Sequence, residues 1–361
     1  MAGPGTEETP IGVLCILGVT CSAGRQALRA PFRTALREVD HLDVVEVRLR
    51  WSDGSSTTAA VSPTPPITGE TAGSICAAVT GPLAEAVRGV PLASREELFA
   101  RLHGAMRANT TAKFAIDLAV HEALASCWGG MPALLGVAGG PVRTDVTVSL
   151  AGAATMAAEA VRRAAEGFDV LKLKVGGGDV DLDVARVVAV ARSVAPEVCL
   201  RLDANQGWTA KEALAVLDGL ERRGVRPELV EQPVGAQDLA GMAAVARHGF
   251  VPVLADEAVH GAADVVRVAE ARAADLVNVK LAKCGGLRAA RDVIATATAC
   301  GLGVIVGCML EPPSAVAAAA IIALSLPTDR AHDLDAGWWT TDQGPLEYRP
   351  PVVEVAGGWP G

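Results

Sequence analysis

Leu171–Val175 reads L-K-L-K-V, Leu202–Asn205 reads L-D-A-N, Val230–Pro233 reads V-E-Q-P, Ala255–Glu257 reads A-D-E, and Val279–Gly286 reads V-K-L-A-K-C-G-G. Each cluster closes a short apolar run, with lysines first and last and three carboxylates between them. The steps are regular: 29 residues from Lys174 to Asp203, 28 to Glu231, 25 to Asp256 and 24 to Lys280. A step of that length holds one strand and one helix. In a closed parallel barrel such a repeat carries successive strand ends around one mouth. The five clusters are therefore expected to converge on one site.

Working outward, the same rhythm runs from about residue 143. Strands are predicted at 146–150, 170–175, 199–203, 229–231, 253–256, 276–280, 304–306 and 331–334. The helices between them are predicted at 154–166, 182–194, 210–223, 239–248, 262–271, 287–300 and 314–324. Eight strands and seven helices favour a closed barrel. An open doubly wound sheet would need a glycine-rich phosphate loop after its first strand, and Gly176–Gly178 lack that setting.

The N-terminal third reads as α+β. Residues 11–19 are apolar enough for a first strand, and 21–29 read as a turn-rich loop. His41–Trp51 alternates, with Val45, Val47 and Leu49 on one face and Glu46, Arg48 and Arg50 on the other, as in a half-exposed strand. Ser55–Val61 is expected to pair back on it. Helical spacing follows at Ile75, Val79, Leu83 and Val87, and Ser94 with Glu97 suggests a capping box. Gly129, Gly130 and Pro132 stop the apolar helix 112–128. The fold class is thus α/β, a modified barrel with an α+β N-terminal cap. The expected division is 11–140 for the cap, 141–340 for the barrel and 341–361 for a tail returning to the cap.

Bulk properties narrow the function. The chain has 361 residues, a net charge of −9 and 50% hydrophobic residues, with a mean hydropathy of +0.33. The acidic balance argues against a nucleic-acid surface. No apolar run reaches the ~18 residues of a membrane span. The acidic N-terminus lacks the basic start of a signal peptide. None of the eight cysteines forms a C-x-x-C pair, so free thiols in a cytoplasmic protein are expected.

Three carboxylates at consecutive strand ends, Asp203, Glu231 and Asp256, need a cation to share one mouth. All-oxygen donors without His or Cys suit Mg²⁺. Lys174 and Lys280 stand on strands either side of the three. Lys172 shares the face of Lys174 because strand side chains alternate. Two adjacent ammonium groups would depress each other's pKa and leave Lys174 able to act as a base. Lys283 reads either as a site residue or as an uninvolved helix-entry lysine. A metal between two bases suits removal of a proton α to a carboxylate and its return on the other face.

These segments together resemble the enolase superfamily, specifically its muconate-lactonizing-enzyme-like subgroup, over about residues 11–354. The resemblance implies a capping domain on a (β/α)7β barrel, and a lysine base with Mg²⁺ stabilising an enediolate. The His-Asp dyad of the mandelate-racemase-like subgroup is not evident. Within the subgroup the chain is most similar to dipeptide epimerases of the L-Ala-D/L-Glu kind. That implies an α-ammonium site at Asp333 and Asp335 in H-D-L-D-A-G. It implies an acidic-side-chain contact at Arg37 in P-F-R-T-A-L-R, and a pocket-lining Thr147 in V-T-V-S-L. Gly307–Glu311 resembles the family's seventh-strand end. Trp338 and Trp339 depart from the family pattern, which more often has G-P and aliphatics there. The expected activity is Mg²⁺-dependent epimerisation of a dipeptide by a homo-oligomer. Alternatives on the same site are an N-acylamino acid racemase, or a cycloisomerase or o-succinylbenzoate synthase-type enzyme. A non-catalytic protein on an inherited barrel is the third reading.

Overall fold

A computed structural model describes residues 14–33, 38–357 and 359. It begins with an antiparallel sheet of β1 (Ile16–Arg33), β2 (Glu38–Trp51) and β3 (Ser56–Val61), in that order. Alternation in β2 does what the sequence implies: Val45, Val47, Leu49 and Trp51 are buried, while Glu46, Arg48 and Arg50 face out. Residues 21–29, expected as a loop, are instead the middle of β1, paired from Cys21↔Val47 to Ala27↔His41. Their Ser, Ala and Gly side chains carry little strand propensity of their own. The long partner β2 supplies the ladder that local composition cannot. β1 and β2 form an arm that continues past the third strand.

Six helices follow: α1 (Pro65–Thr68), α2 (Ala72–Thr80), α3 (Pro82–Val87), α4 (Arg95–Gly104), α5 (Thr110–Trp128) and α6 (Met131–Leu135). The expected Ser94–Glu97 box does not form. Ser94 ends a 3-10 turn with no side-chain cap, and Glu97 pairs with Arg101 at 2.6 Å. Thr71 and Ser74 make a reciprocal cap on α2 instead. The free-thiol expectation also fails at one pair: Cys21 of β1 is bridged to Cys76 of α2, 55 residues apart in sequence. Only the packing of the arm on α2 brings them together. Cys15, Cys127, Cys199, Cys284, Cys300 and Cys308 are free.

Helix α5 is buried on every side from Thr111 to Ala125, between the cap sheet and the barrel. Two acids inside it behave differently. Asp117 accepts from the backbone N–H of Leu287 at 2.7 Å and so caps a barrel helix across the domain junction. Gly286 sits against it at φ +120°, where a Cβ would lie 2.3 Å from the Asp117 carboxyl carbon. Glu122 has no such cationic or capping role, and burial pushes its carboxyl up to about 8 against a hydrogen bond from the Thr58 backbone. A carboxyl raised in the folded state is ionised earlier in the unfolded chain. Its effect is a loss of stability as pH rises between the ordinary Glu range and about 8. Glu122→Gln is expected to flatten that slope, gaining roughly 2 kcal/mol over the native protein at pH 8 relative to pH 5. Urea unfolding at the two pH values checks this; parallel losses in both proteins would refute it.

The barrel unit starts with β4 (Val142–Arg143) and β5 (Val146–Val148). It proceeds through α7 (Ala153–Ala165), β6 (Val170–Lys174), α8 (Val180–Ser193), β7 (Cys199–Asp203), α9 (Ala210–Glu221) and β8 (Leu229–Glu231). Then come α10 (Leu239–His248), β9 (Val253–Ala255), α11 (Ala262–Ala271), β10 (Leu276–Lys280), α12 (Leu281–Cys284), α13 (Leu287–Ala299), β11 (Gly303–Gly307) and α14 (Pro313–Ala323). Strands β5 to β11 form one parallel sheet in sequential order. The predicted eighth strand is reduced to bridges: His332 pairs with Thr144 beside β5, and Asp333 with Gly307 of β11. Residues 331–335 thereby close the barrel. No helix among the described residues is long and apolar enough to cross a membrane.

Short α15 (Ala336–Trp339) leads to a hairpin of β12 (Leu346–Arg349) and β13 (Val352–Val355). The tail turns back, and its sheet partner is β4, with Val353 opposite Val142. It reaches the N-terminal part where the Trp359 carbonyl accepts from the Met131 N–H at 3.4 Å.

Candidate active site

Side-chain alternation builds the site in layers. On β8, β9, β10 and β11 the inward residues Leu229, Leu254, Leu276 and Ile305 form a separate apolar cluster inside the barrel. Two residues further along each strand, toward the mouth, stand Glu231, Asp256, Asn278 and Gly307. Lys172 and Lys174 on β6 and Asp203 on β7 complete the ring. At Gly307 any side chain would collide: a Cβ would lie 2.4 Å from Asn278 Oδ1 and 3.0 Å from Asp333 Oδ2.

The ring is buried and tightly paired. Lys172 Nζ lies 2.7 Å from Glu231, 2.9 Å from Asp333 and 3.1 Å from Asp203. Lys174 Nζ lies 2.6 Å from Asp203 Oδ2, and Lys280 Nζ 2.8 Å from Asp256 Oδ2. Strand order β6-β7-β8-β9-β10 sets the two lysines on opposite flanks of the carboxylates. Lys283 is wholly buried and grips both the carbonyl and the carboxylate of Asp256, with a further bond to the Asn278 carbonyl at 3.1 Å. It is not an uninvolved lysine.

The expected depression of Lys172 by its neighbour is not seen. Burial does push its ammonium down, but Asp203, Asp333 and Glu231 together hold it well above the ordinary range. Lys280 is raised for the same reason, burial being outweighed by Asp256 and Asp333. Asp256 is held well below the usual carboxylate range, because Lys280 and Lys283 outweigh its burial. Glu231 goes the other way: burial, then Asp203 and Asp256 beside it, push it up to about 8. Burial and Asp256 push Glu257 up to about 7.

That pattern answers whether the donors suit a divalent cation. Asp203, Glu231, Asp256, Glu257, Asp333 and Asp335 face Lys172, Lys174, Lys280 and Lys283, an excess of two negative charges when all are ionised. The upward shifts of Glu231 and Glu257 are the expression of that crowding of carboxylates. Asn205 Oδ1 and Glu257 Oε2 are buried beside Asp203 and Asp256 without a hydrogen-bond donor among the described residues. An all-oxygen, anion-rich ring with spare buried acceptors fits a hard divalent ion.

Several participants carried little sequence signal. Asn278 donates to Glu231 at 2.9 Å and to Asp333 at 3.2 Å; its only cue was lying two residues before Lys280. Gln232, at φ +35°, accepts from the N–H groups of Asp256 and Ala258 at 3.0 and 3.1 Å and ties one strand end to the next. Asn205, at φ +43°, donates its N–H to Asp203 Oδ1 at 2.9 Å. Such strained backbone at strand ends persists because the ring over-determines it.

A cleft opens over the lysines, walled by Phe32, Pro66, Ile67, Met309 and Leu310. Thr147 lines it, and its backbone N–H donates to Asp335 Oδ2 at 2.7 Å. The two aspartates differ. Both are buried and line the cleft, but Asp333 is paired with Lys172 and Asn278, whereas Asp335 accepts from the Thr147 N–H and meets no lysine among the described residues. Arg37 lies outside the described residues.

Comparisons with known proteins agree on both halves of the chain. Residues 16–135 match the mandelate racemase / muconate lactonizing enzyme N-terminal domain, and residues 155–358 match the enolase C-terminal domain-like family. The L-Ala-D/L-Glu epimerase of Bacillus subtilis (strain 168) is 38% identical over 310 residues, covering 86% of this chain and 85% of that protein. A solved substrate-liganded complex of the L-Ala-D/L-Glu epimerase from Bacillus subtilis superposes with a TM-score of 0.91 at 35% identity, covering 95% of this chain and 97% of that one. The dipeptide epimerase from Enterococcus faecalis V583, solved with Mg and L-Leu-L-Tyr, gives a TM-score of 0.88 at 30% identity, with 95% and 98% covered.

Proposed function

Because the chain belongs to the enolase superfamily, in its mandelate racemase/muconate lactonizing enzyme branch, we propose that it is a Mg²⁺-dependent dipeptide epimerase. It inverts the α-carbon of the C-terminal residue of a dipeptide such as L-Ala-L-Glu. The observation that carries this reading is the pair Lys174 and Lys280, facing each other across Asp203, Glu231 and Asp256. One lysine, as the neutral amine, takes the α-proton from one face and becomes an ammonium, and the other, as an ammonium, gives a proton to the opposite face. Asp203, Glu231 and Asp256 would hold Mg²⁺, which when bound would supply positive charge for the negative charge that develops on the substrate carboxylate. Lys172, fixed between Glu231 and Asp333, serves as a permanent cation beside the reacting carboxylate.

A dipeptide also brings an α-ammonium. Asp335 at the cleft, backed by Asp333, is the proposed anion for it. Substrates of an N-acylamino acid racemase, a cycloisomerase or an o-succinylbenzoate synthase lack that group and would leave Asp335 buried without use. Thr147 is the proposed pocket wall, and Arg37 the proposed contact for an acidic side chain. The reading extends to a homo-oligomer acting in the cytoplasm. Six free cysteines suit a reducing compartment, while the Cys21–Cys76 bridge does not.

Incubation with Mg²⁺ in deuterated water tests the reaction. L-Ala-L-Glu or L-Leu-L-Tyr is expected to gain one deuterium at the C-terminal α-carbon together with inversion. Turnover of an N-acylamino acid, with no exchange in any dipeptide, would overturn the reading.

A further inference from the structure

Trp339 donates its indole N–H to Asp335 Oδ2 at 2.9 Å. The Thr147 N–H meets the same oxygen at 2.7 Å. Two donors on one carboxylate oxygen fix the plane of the group, and the other oxygen is left for a substrate. Trp339 is 3% exposed, and its ring is held from two further sides. Phe32 of the arm meets it edge to face at 5.5 Å and 79°. The Arg163 guanidinium of α7 lies over it at 5.0 Å. The arm is joined to the segment after Trp339 by a Leu28–Thr340 bridge and by Gln26 Nε2 donating to the Asp342 carbonyl at 3.2 Å. Phe32 itself walls the cleft.

We propose that Trp339 is a positioning residue that orients Asp335 toward the substrate ammonium and that, through Phe32, makes this orientation depend on the seating of the arm. The inference rests on the dipeptide reading above. The indole is wide enough to touch the arm and Asp335 at once, and only its N–H carries the contact to the carboxylate. The chain thereby recognises the free amino end only when the arm is packed down.

Trp339→Phe keeps the ring against Phe32 and removes the N–H. With a dipeptide and Mg²⁺, KM is expected to rise about tenfold, the range for a lost hydrogen bond to a charged group, with kcat changed less than about twofold. The inhibition constant of the same dipeptide N-acetylated at its amino end is expected to stay unchanged, because that probe has no ammonium. Phe32→Leu, which leaves the N–H in place but loosens the arm contact, is expected to raise the dipeptide KM in the same direction by a smaller factor. A Trp339→Phe enzyme with native KM, or one that weakens the acetylated probe equally, would overturn the inference while leaving the epimerase reading intact. If Trp339→Phe does not fold, an unchanged KM in Phe32→Leu overturns the coupling. A native enzyme inactive on every dipeptide would overturn the functional reading, and this inference with it.

Discussion

Lys280→Ala is expected to lose epimerisation by about 10³-fold, the scale of a missing general acid–base group, yet to keep exchanging the α-proton of one epimer. With β7, β8 and β9 between β6 and β10, Lys174 and Lys280 flank the carboxylates from two sides of the cleft, and the proposed mechanism has them address opposite faces of the substrate. Without Lys280, Lys174 still removes and returns a proton on its own face. Deuterium then enters one epimer with retention, and the other epimer neither exchanges nor inverts. Mass spectrometry and chiral separation after incubation in deuterated water read both quantities. Inversion at the native rate would rule out Lys280 as a base. Loss of exchange in both epimers would mean that the residue holds the site together rather than moving a proton.

Lys283→Met should cost stability more than activity assays alone would suggest. The lysine has no exposure, and its ammonium binds the Asp256 carbonyl, the Asp256 carboxylate and the Asn278 carbonyl. Methionine fills a similar volume but leaves a buried carboxylate short of a cation, a change of roughly 3–5 kcal/mol when one partner of a buried pair is removed. Lys280 remains beside Asp256 at 2.8 Å, so the lower end of that range is expected. The loss should be larger in EDTA than in millimolar Mg²⁺, because a bound cation would take over part of the compensation. Urea unfolding in both buffers checks this. An equal loss in each would detach Lys283 from the proposed metal site, and no loss in either would show its contacts to be dispensable.

How much of this was legible beforehand differs by residue. Lys172 and Lys174 could be assigned to one face from the period of a strand, and β6 bears them there. Asp203, Glu231 and Asp256 could be grouped because one strand and one helix separate each from the next. Their acid–base state could not. Expecting lysine to depress lysine weighed one neighbour, whereas the folded ring surrounds Lys172 with three carboxylates from β7, β8 and the segment that closes the barrel. Asn278, Gln232 and Lys283 carried little signal of their own beyond adjacency to the repeating residues, since their contacts hold other side chains in place.

Local and periodic information was therefore enough for the barrel and for grouping the lysines and carboxylates at one mouth, because strand alternation and a strand-plus-helix step are properties of the chain near each residue. Contacts between distant segments needed the folded molecule. The arm was misread as a loop because its ladder comes from β2, and Cys21 met Cys76 only through packing on α2. Phe32 and Trp339 are 307 positions apart in the chain, and nothing local relates them. The grouping of these side chains thus follows from repeated short-range pattern. The link between arm, tryptophan and Asp335 follows from tertiary packing, because it joins groups whose proximity no local rule encodes.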